Sequence, residues 1–336
     1  MPEHADQPDD FAARPVAQAS EGATLALDHG HVMAWEQAGA LSGLPVVVLH
    51  GGPGSGSNPR HREFFDAAKY RIVQFDQRGC GRCTPLGETE HNHTGALVDD
   101  IERLREHLGI ERWLVFGGSW GAPLALAYAA KYPQRTSGLV LRGIYLTGDA
   151  DNDWFFHGAA AFAPEAHARL MQFVPRRWRR SLLTWLERTF RDGSENDKAA
   201  VAAAWQRYET ALVDPSRLGA TDSAPLSPAP AMIWKKYTVQ AHYLARRCFL
   251  GESMVMRCAS GLRGVPTALV HGTLDFVCRP VNSLRMQRVI AGSRLAWAPG
   301  AGHDPFHPES KRLLCAATDR FHADGDFSRW PAEAGA

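Results

Sequence analysis

The sequence has no long apolar run, little net charge and no regular cysteine pattern. Its clearest apolar stretch, residues 46–49, has the length of a strand and is far short of the roughly 20 residues that a membrane-spanning helix needs. A formal net charge of +1 creates no field that would attract nucleic acid or an anionic membrane surface. We therefore expect neither a nucleic-acid nor a membrane partner.

The six cysteines match neither a disulfide framework nor a zinc ribbon in their spacing. Cys80 and Cys83 form a C-x-x-C pair, a pattern that redox and metal sites also use. The flanking glycines Gly79 and Gly81 place this pair in a turn, and no second pair of metal ligands accompanies it. We therefore expect reduced thiols, no metal and no cofactor.

Length and local composition divide the chain into three predicted parts. With 336 residues, the chain exceeds the usual size of a single core, which favours one large domain with an insertion. Residues 1–22 are polar and lack the basic start and apolar run of a secretory signal, so we expect a flexible tail and a cytoplasmic protein. Residues 147–264 are rich in helical periods and aromatics, and we predict that they form a helical cap. Residues 23–146 and 265–330 are then the core domain.

In the core, short β-branched runs alternate with helical periods. This alternation is typical of the α/β class, with a mostly parallel central sheet and helices on both faces. The near-continuous apolarity of each run indicates strands that are covered on both faces. Six strands are predicted in this way, over residues 45–49, 71–75, 113–116, 138–141, 267–270 and 294–297.

Ser119 is the centre of the strongest chemical motif. Gly117-Gly118-Ser119-Trp120-Gly121 matches G-x-S-x-G, with a predicted strand before it and a predicted helix of small residues after it. In that context the sharp turn holds the serine hydroxyl at the end of the sheet, beside a helix N-terminus. The pattern predicts a nucleophilic serine.

A serine hydroxyl is a weak nucleophile until a base, oriented by a third group, accepts its proton. Asp275 follows the predicted strand 267–270, and His303 lies in the glycine-containing loop after the strand 294–297. Either residue alone is more often a turn-capping aspartate or a surface histidine. Together, in the order serine, acid, histidine that accompanies this motif, they predict the catalytic triad Ser119, Asp275 and His303.

A glycine-rich loop, His50-Gly51-Gly52-Pro53-Gly54, follows the first predicted strand of the core. Glycine permits a close backbone approach to a substrate, and backbone N–H groups stabilise the oxyanion that forms during acyl transfer. We predict that the N–H groups of Gly52 and Trp120 form the oxyanion hole. Phosphate binding is excluded because G-x-G-x-x-G and the P-loop lysine are absent here; a tight turn without catalytic function remains open.

Several stretches together resemble the proline iminopeptidases (prolyl aminopeptidases), serine peptidases of the α/β-hydrolase fold. The similar stretches cover residues 30–37, 50–54, 76–82, 117–121, 141–144 and 302–303. The resemblance implies the α/β-hydrolase fold with an inserted helical cap. It also implies release of an N-terminal residue, preferably proline, from small peptides without a metal or cofactor.

The resemblance also implies that cap carboxylates bind the substrate amine. The family's W-x-x-W-E stretch is matched by Trp205-Gln206-Arg207-Tyr208-Glu209, so Glu209 is the predicted amine-binding residue. Its I-E-x-H-Y stretch appears as Val239-Gln240-Ala241-His242-Tyr243, with Gln240 in place of the glutamate. A carboxylate attracts an ammonium at about 4 Å by roughly 4 kcal/mol at an effective dielectric of 20, before desolvation. Gln240 lacks this charge, although it can accept a hydrogen bond.

Four further residues are predicted to bind substrate. Gly51 belongs to the glycine-rich loop, and Arg142 follows the predicted strand 138–141. Tyr145 stands where the family usually has phenylalanine, and Phe155 lies in Trp154-Phe155-Phe156, where the family has W-Y-Y. Two alternatives stay open: Arg142 in an ion pair with a cap carboxylate, and Phe155 as part of the cap core.

Three functions are compatible with these residues. The favoured one is a serine aminopeptidase that acts on small peptides. The second is an amidase or esterase of the same fold that takes small amides, lactams or esters without requiring a free amine. The third, a non-catalytic ligand binder, is disfavoured because serine, acid, histidine and the oxyanion glycines are all present. The oligomeric state is not predicted.

Overall fold

A computed structural model describes residues 14–20, 22–218 and 226–331. Within these residues the chain forms eight strands in one sheet. They are β1 (Ala23–Ala26), β2 (Val32–Gly39), β3 (Leu44–Leu49), β4 (Tyr70–Phe75), β5 (Trp113–Gly118), β6 (Thr136–Arg142), β7 (Thr267–Gly272) and β8 (Arg294–Ala298).

The same described residues contain ten α-helices. They are α1 (Thr94–His107), α2 (Gly121–Lys131), α3 (Asp149–Asp153), α4 (Pro164–Phe173), α5 (Leu182–Asp192), α6 (Glu195–Val213), α7 (Ala231–Ala245), α8 (Gly251–Ser260), α9 (Val281–Val289) and α10 (Pro308–Asp324).

The sheet has the strand order β1-β2-β4-β3-β5-β6-β7-β8. The six strands from β3 to β8 pair in parallel and coincide with the six predicted strands. β1 and β2 were not predicted; they pair antiparallel with each other, and β2 pairs antiparallel with β4. The mostly parallel sheet of the expected α/β fold is thus confirmed.

Helices cover both faces of the sheet, which explains the apolar character of its strands. Val47 and Val115 pack with residues of α1 and α2 in one core cluster. Their neighbours Val46 and Leu114 point to the opposite face and pack with residues of α10 in a second cluster. Because successive side chains of a strand alternate between faces, each parallel strand contributes to both cores.

The carboxyl ends of the parallel strands meet at one edge of the sheet. The loops that leave β3, β5, β7 and β8 carry the glycine-rich loop, Ser119, Asp275 and His303, respectively. Ligand sites in open α/β sheets form at this edge. The topology therefore gathers residues that are up to 253 positions apart in the sequence, from His50 to His303.

Between β6 and β7, the described residues form helices α3–α8 and no strand. Helices α4–α7 pack on one another, with α5 and α6 both against α7. Trp205, Phe190 and Tyr237 lie at the centre of this packing and are buried. α8 instead contacts α2 and α9 of the core. The separate cap domain over residues 147–264 stays a prediction, and residues 219–225 of it lie outside the described part.

Most of the predicted N-terminal tail, residues 1–13 and 21, also lies outside the described residues. Residues 14–20 contact the core: Arg14 forms an ion pair with Asp319 of α10, and Ala19 makes a β-bridge with Ala38 of β2. In the part of the chain that the structure describes, none of the helices combines the length and apolarity needed to traverse a bilayer.

Candidate active site

Ser119 lies in the tight turn between β5 and α2. Its φ of +56° is in the left-handed region, which non-glycine residues adopt rarely and at a cost in energy. Glycines on both sides make this turn possible: a Cβ on Gly117 would lie 2.3 Å from the carbonyl oxygen of Gly121. A Cβ on Gly121 would lie 2.4 Å from the carbonyl oxygen of Leu49. The glycines of the motif are therefore sterically required.

Trp120 connects this turn to the glycine-rich loop after β3. Its indole Nε1 donates to Gln77 Oε1 at 2.8 Å, and Gln77 Nε2 donates to the carbonyl oxygen of His50 at 2.9 Å. The backbone N–H of Trp120 precedes α2 and has no acceptor within the helix. Gly52 on the facing loop has a φ of +116°. The two turns that carry Gly52 and Trp120 thus lie next to each other. The oxyanion hole formed by their N–H groups remains a prediction, and it is compatible with this arrangement.

Asp275 lies in the loop after β7 and is buried. Its Oδ1 accepts hydrogen bonds from the backbone N–H groups of Val277 at 3.0 Å and Cys278 at 2.8 Å. Its Oδ2 lies 2.8 Å from His303 Nδ1 and 3.4 Å from His271 Nε2. Burial alone would raise the pKa of Asp275, but the charges and hydrogen bonds of His303 and His271 outweigh it and hold the pKa well below its usual range.

His303 follows β8 and lines the same cavity as Ser119. When Nδ1–H donates to Asp275, the lone pair of Nε2 is left to accept another proton. Arg142 Nη1 lies 3.4 Å from this Nε2 and donates to the backbone oxygen of His303 at 2.9 Å. The structure thus brings acid, histidine and serine to one edge of the sheet, with the acid and the histidine in contact, and the catalytic triad stays a prediction.

A cavity of about 550 Å³ lies between this edge and the cap helices. This volume is within the range of roughly 300–1,000 Å³ that is usual for small-molecule sites. Nine of the eleven residues predicted for the site line the cavity: Gly51, Gly52, Ser119, Arg142, Tyr145, Phe155, Glu209, Gln240 and His303. Asp275 contacts His303, and Trp120 is the N-cap residue of α2.

Arg142 contacts the predicted base. An ion pair of Arg142 with a cap carboxylate, the alternative considered above, is not found among the described residues. Burial lowers the pKa of the Arg142 guanidinium, although the charge of Asp275 partly offsets this effect. Its guanidinium is therefore a cation beside Nε2 of the predicted base.

Phe155 combines both roles that its sequence position allowed. Its ring packs edge-on against Tyr208 at a centroid distance of 5.4 Å, and it also lines the cavity. Tyr145 donates to Asn152 Oδ1 at 2.8 Å, and both residues line the cavity as well. The aromatic residues at this junction therefore pack and shape the pocket together.

Glu209 of α6 projects into the cavity and is surrounded by donors from α7. Its Oε2 lies 2.7 Å from the hydroxyl of Tyr237 and 3.3 Å from Nζ of Lys236, and its Oε1 lies 3.3 Å from Nε2 of Gln240. Burial would raise the pKa of Glu209, but Lys236 and the hydrogen bonds outweigh this and lower it. The carboxylate is therefore charged and already paired.

Sequence reasoning missed Lys236 and Tyr237, although both precede Gln240 on α7. Lys236 and Gln240 are four residues apart and therefore share a helix face. That spacing was the only available signal, because nothing in the sequence reveals that this face meets Glu209 of α6. Cys278 also lines the cavity and was not predicted.

The C-x-x-C pair lies buried behind the site. Cys80 Sγ donates to the carbonyl oxygen of Arg78 at 3.2 Å, and Cys83 Sγ donates to that of Asp76 at 2.8 Å. Burial raises the pKa of both thiols, to about 12 for Cys83. Protonated, buried thiols are unreactive. Over the described ranges, no group of three or more His, Cys, Asp or Glu residues is arranged to hold a metal ion.

Comparisons with solved structures agree with this architecture. VinJ superposes with a TM-score of 0.63 and 20% sequence identity, over 91% of this chain and 99% of that one. A thermophilic esterase from Thermogutta terrifontis superposes with a TM-score of 0.59 and 21% identity, over 91% of this chain and 99% of that one. At such low identity these similarities show the fold alone.

Sequence comparisons are more specific. Residues 45–310 match the family model of the α/β-hydrolase fold. A proline iminopeptidase of Xylella fastidiosa is 40% identical over 306 residues, which are 90% of this chain and 96% of that protein. The proline iminopeptidase of Arabidopsis thaliana is 38% identical over 92% of this chain and 81% of that protein. The chain is thus a hydrolase of the α/β-hydrolase fold and belongs to the proline iminopeptidase family.

Proposed function

We propose that this protein is a serine aminopeptidase that releases an N-terminal residue, preferably proline, from small peptides. The observation that carries the proposal is the contact of 2.8 Å between Asp275 Oδ2 and His303 Nδ1, at a cavity that His303 shares with Ser119. The relatives named above are proline iminopeptidases, and a small peptide suits a cavity of about 550 Å³ that is lined in part by the cap helices α6 and α7.

The reaction proceeds through an acyl-enzyme. Ser119 Oγ attacks the carbonyl carbon of the first residue while its proton passes to His303 Nε2. The carbonyl oxygen becomes an oxyanion that accepts hydrogen bonds from the N–H groups of Gly52 and Trp120. Asp275 keeps Nδ1 of His303 protonated and stabilises the imidazolium that forms.

Collapse of the tetrahedral intermediate breaks the peptide bond. His303 transfers its proton to the leaving amine, and the shortened peptide departs. Water then loses a proton to His303 and attacks the acyl carbon, after which the proton returns to Ser119 and the free amino acid is released. Glu209 and Gln240 bind the N-terminal nitrogen, while Tyr145, Phe155 and Gly51 contact the first residue. Arg142 positions His303 at the rim of the substrate pocket.

The test compares four chromogenic substrates with the wild-type protein and Ser119→Ala. They are the 4-nitroanilides of proline, alanine and N-acetylproline, and a simple acyl ester. Fast release from proline anilide that depends on Ser119 supports the proposal. Release that survives in Ser119→Ala, or no release from proline anilide, contradicts it.

An amidase or esterase that does not require a free amine is the second candidate. The observation that favours it is the pairing of Glu209 with Lys236 at 3.3 Å, together with the neutral Gln240. Ser119-dependent turnover of the ester or the N-acetyl anilide, with none of proline anilide, would establish this candidate in place of the first.

We further propose that the protein acts in the cytoplasm, without a nucleic-acid or membrane partner. Support comes from its six cysteines, all free thiols and five of them buried, which suit a reducing compartment. The same proposal includes the division into a core over 23–146 and 265–330 and a cap over 147–264. The helices of the cap supply Glu209 and Gln240 to the cavity, which supports this division.

A further inference from the structure

Lys236 is a cation at the place where the substrate amine is expected. Its Nζ lies 3.3 Å from Glu209 Oε2, and both side chains retain 21% of their exposure. Lys236 and Glu209 both line the cavity. Any ammonium group that approaches the carboxylate of Glu209 therefore also approaches the ammonium of Lys236.

The position of Lys236 is fixed by its surroundings. Its Nζ lies 4.8 Å from the centroid of the Tyr237 ring, a cation–π distance, in addition to its contact with Glu209. The backbone of α7 is held against the glycine-rich loop, because a Cβ on Gly54 would lie 2.5 Å from the carbonyl oxygen of Lys236. Both the side chain and the backbone of Lys236 are therefore held in place at the pocket.

The charges that line the cavity balance. Its carboxylates are Asp151, Glu209 and Asp304, and its permanent cations are Arg60, Arg142 and Lys236. Three negative and three positive formal charges sum to zero, so the lining has no excess of carboxylates to favour an ammonium group. Gln240 adds no charge to the lining: its Nε2 lies 3.3 Å from Glu209 Oε1, and its buried Oε1 has no hydrogen-bond partner among the described residues.

We propose that Lys236 is a specificity-determining residue. It neutralises Glu209, so the site distinguishes little between a charged N-terminal amine and an uncharged nitrogen, such as that of a lactam or an acylated residue. The inference rests on the proposed function, because it concerns the nitrogen-binding end of the same substrate pocket.

Removing the charge of Lys236 should restore selectivity for amines. With the lysine gone, Glu209 attracts a substrate ammonium without an opposing cation. At the same effective dielectric of 20 and a separation of about 5 Å, the bare repulsion corresponds to more than roughly 100-fold in affinity, and desolvation and solvent screening of the partly exposed lysine reduce the expected change to about tenfold. The effect belongs in KM, because the ammonium keeps its charge while the neighbouring carbonyl reacts, so its interaction with Glu209 and Lys236 is the same in ground and transition states.

The experiment measures KM and kcat for proline anilide and for the acyl ester with Lys236→Met. Lys235→Met is the matched control, because Lys235 is the next residue of α7 but does not line the cavity. We expect Lys236→Met to lower KM for proline anilide about tenfold, with kcat and the ester unchanged. Lys236→Arg retains the charge and should keep the wild-type KM, which separates the effect from altered packing. An unchanged or increased KM for proline anilide, or an equal shift for the ester, overturns the inference.

A binding measurement separates this inference from the proposed function. In the Ser119→Ala background, calorimetry with L-prolinamide and N-acetyl-L-prolinamide needs no turnover. Lys236→Met should tighten binding of L-prolinamide about tenfold and leave that of N-acetyl-L-prolinamide unchanged. This result without proline release by the wild type would keep the inference and refute the aminopeptidase. Proline release by the wild type without this difference in binding would support the aminopeptidase and refute the inference about Lys236.

Discussion

Asp275→Asn isolates the role of the acid in orienting the histidine. In the wild type, Oδ1 accepts from the N–H groups of Val277 and Cys278 at 3.0 and 2.8 Å. These two donors hold the oxygen of the asparagine amide in the same place. Its NH2 group then takes the position of Oδ2, 2.8 Å from His303 Nδ1. A donor now faces Nδ1, so the imidazole must carry its proton on Nε2 instead.

A histidine protonated on Nε2 cannot accept the proton of Ser119. Loss of the correct tautomer with the geometry retained lowers kcat on the order of 10⁴-fold in serine-protease triads, which is about 5 kcal/mol of activation free energy. We expect an effect of this size for Asp275→Asn. KM should change little, because Asp275 does not line the cavity.

The assay is steady-state hydrolysis of proline anilide, with thermal unfolding of each variant to show that it is folded. Asp66→Asn is the control, since Asp66 accepts from the N–H of Ala68, two residues on, as Asp275 does from Val277. Asp66 does not line the cavity and its variant should retain wild-type kcat. A decrease of less than about tenfold in kcat for a folded Asp275→Asn would refute the proposed role of Asp275.

Three further predictions concern binding, folding and pH. Glu209→Gln should raise KM for proline anilide several-fold and leave that for the acyl ester unchanged; equal shifts for both would exclude amine binding by Glu209. Gly121→Ala should destabilise the fold by about 2 kcal/mol or more in denaturant unfolding, because its Cβ would meet the carbonyl oxygen of Leu49 at 2.4 Å. Burial would raise the pKa of Asp76, but the neighbouring His50 and hydrogen bonds, including those from the N–H groups of Ser57 and Arg82, outweigh it and lower the pKa. Asp76 in the unfolded state therefore binds a proton at a higher pH than in the folded state. Its ionised carboxylate stabilises the fold above pH about 4, and this contribution is lost as the pH falls through the lowered folded-state pKa. Asp76→Asn should lower Tm at pH 7, and the difference in Tm from wild type should shrink towards pH 3. A difference in Tm that stays constant with pH would show that the pKa of Asp76 is not lowered by folding.

The parts of the fold that the sequence predicted are those with strong local signals. The six parallel strands are buried on both faces, so each appears as a continuous apolar run. The glycines around Ser119 are required by contacts of 2.3 and 2.4 Å, so the motif itself encodes the turn. β1 and β2 were missed because an antiparallel edge of the sheet is only partly covered: β1 alternates half-buried and exposed residues over a stretch of four.

The charges of the pocket could not be predicted in the same way. Glu209 and Lys236 are 27 residues apart on different helices, and their contact depends on how α6 packs against α7. Neither helix contains a local signal for that packing. The substitution of Gln240 was visible in the sequence, but its unpaired Oε1 and its contact with Glu209 appear only in three dimensions.

The central claim is that Ser119 is a nucleophile activated by His303, and covalent labelling tests it most directly. The wild-type protein is treated with a fluorophosphonate, and the modified residue is located by peptide mass spectrometry. The account predicts a single phosphonylated residue, Ser119, and a loss of labelling in His303→Ala. An unmodified Ser119, or labelling at an undiminished rate in folded His303→Ala, would contradict it.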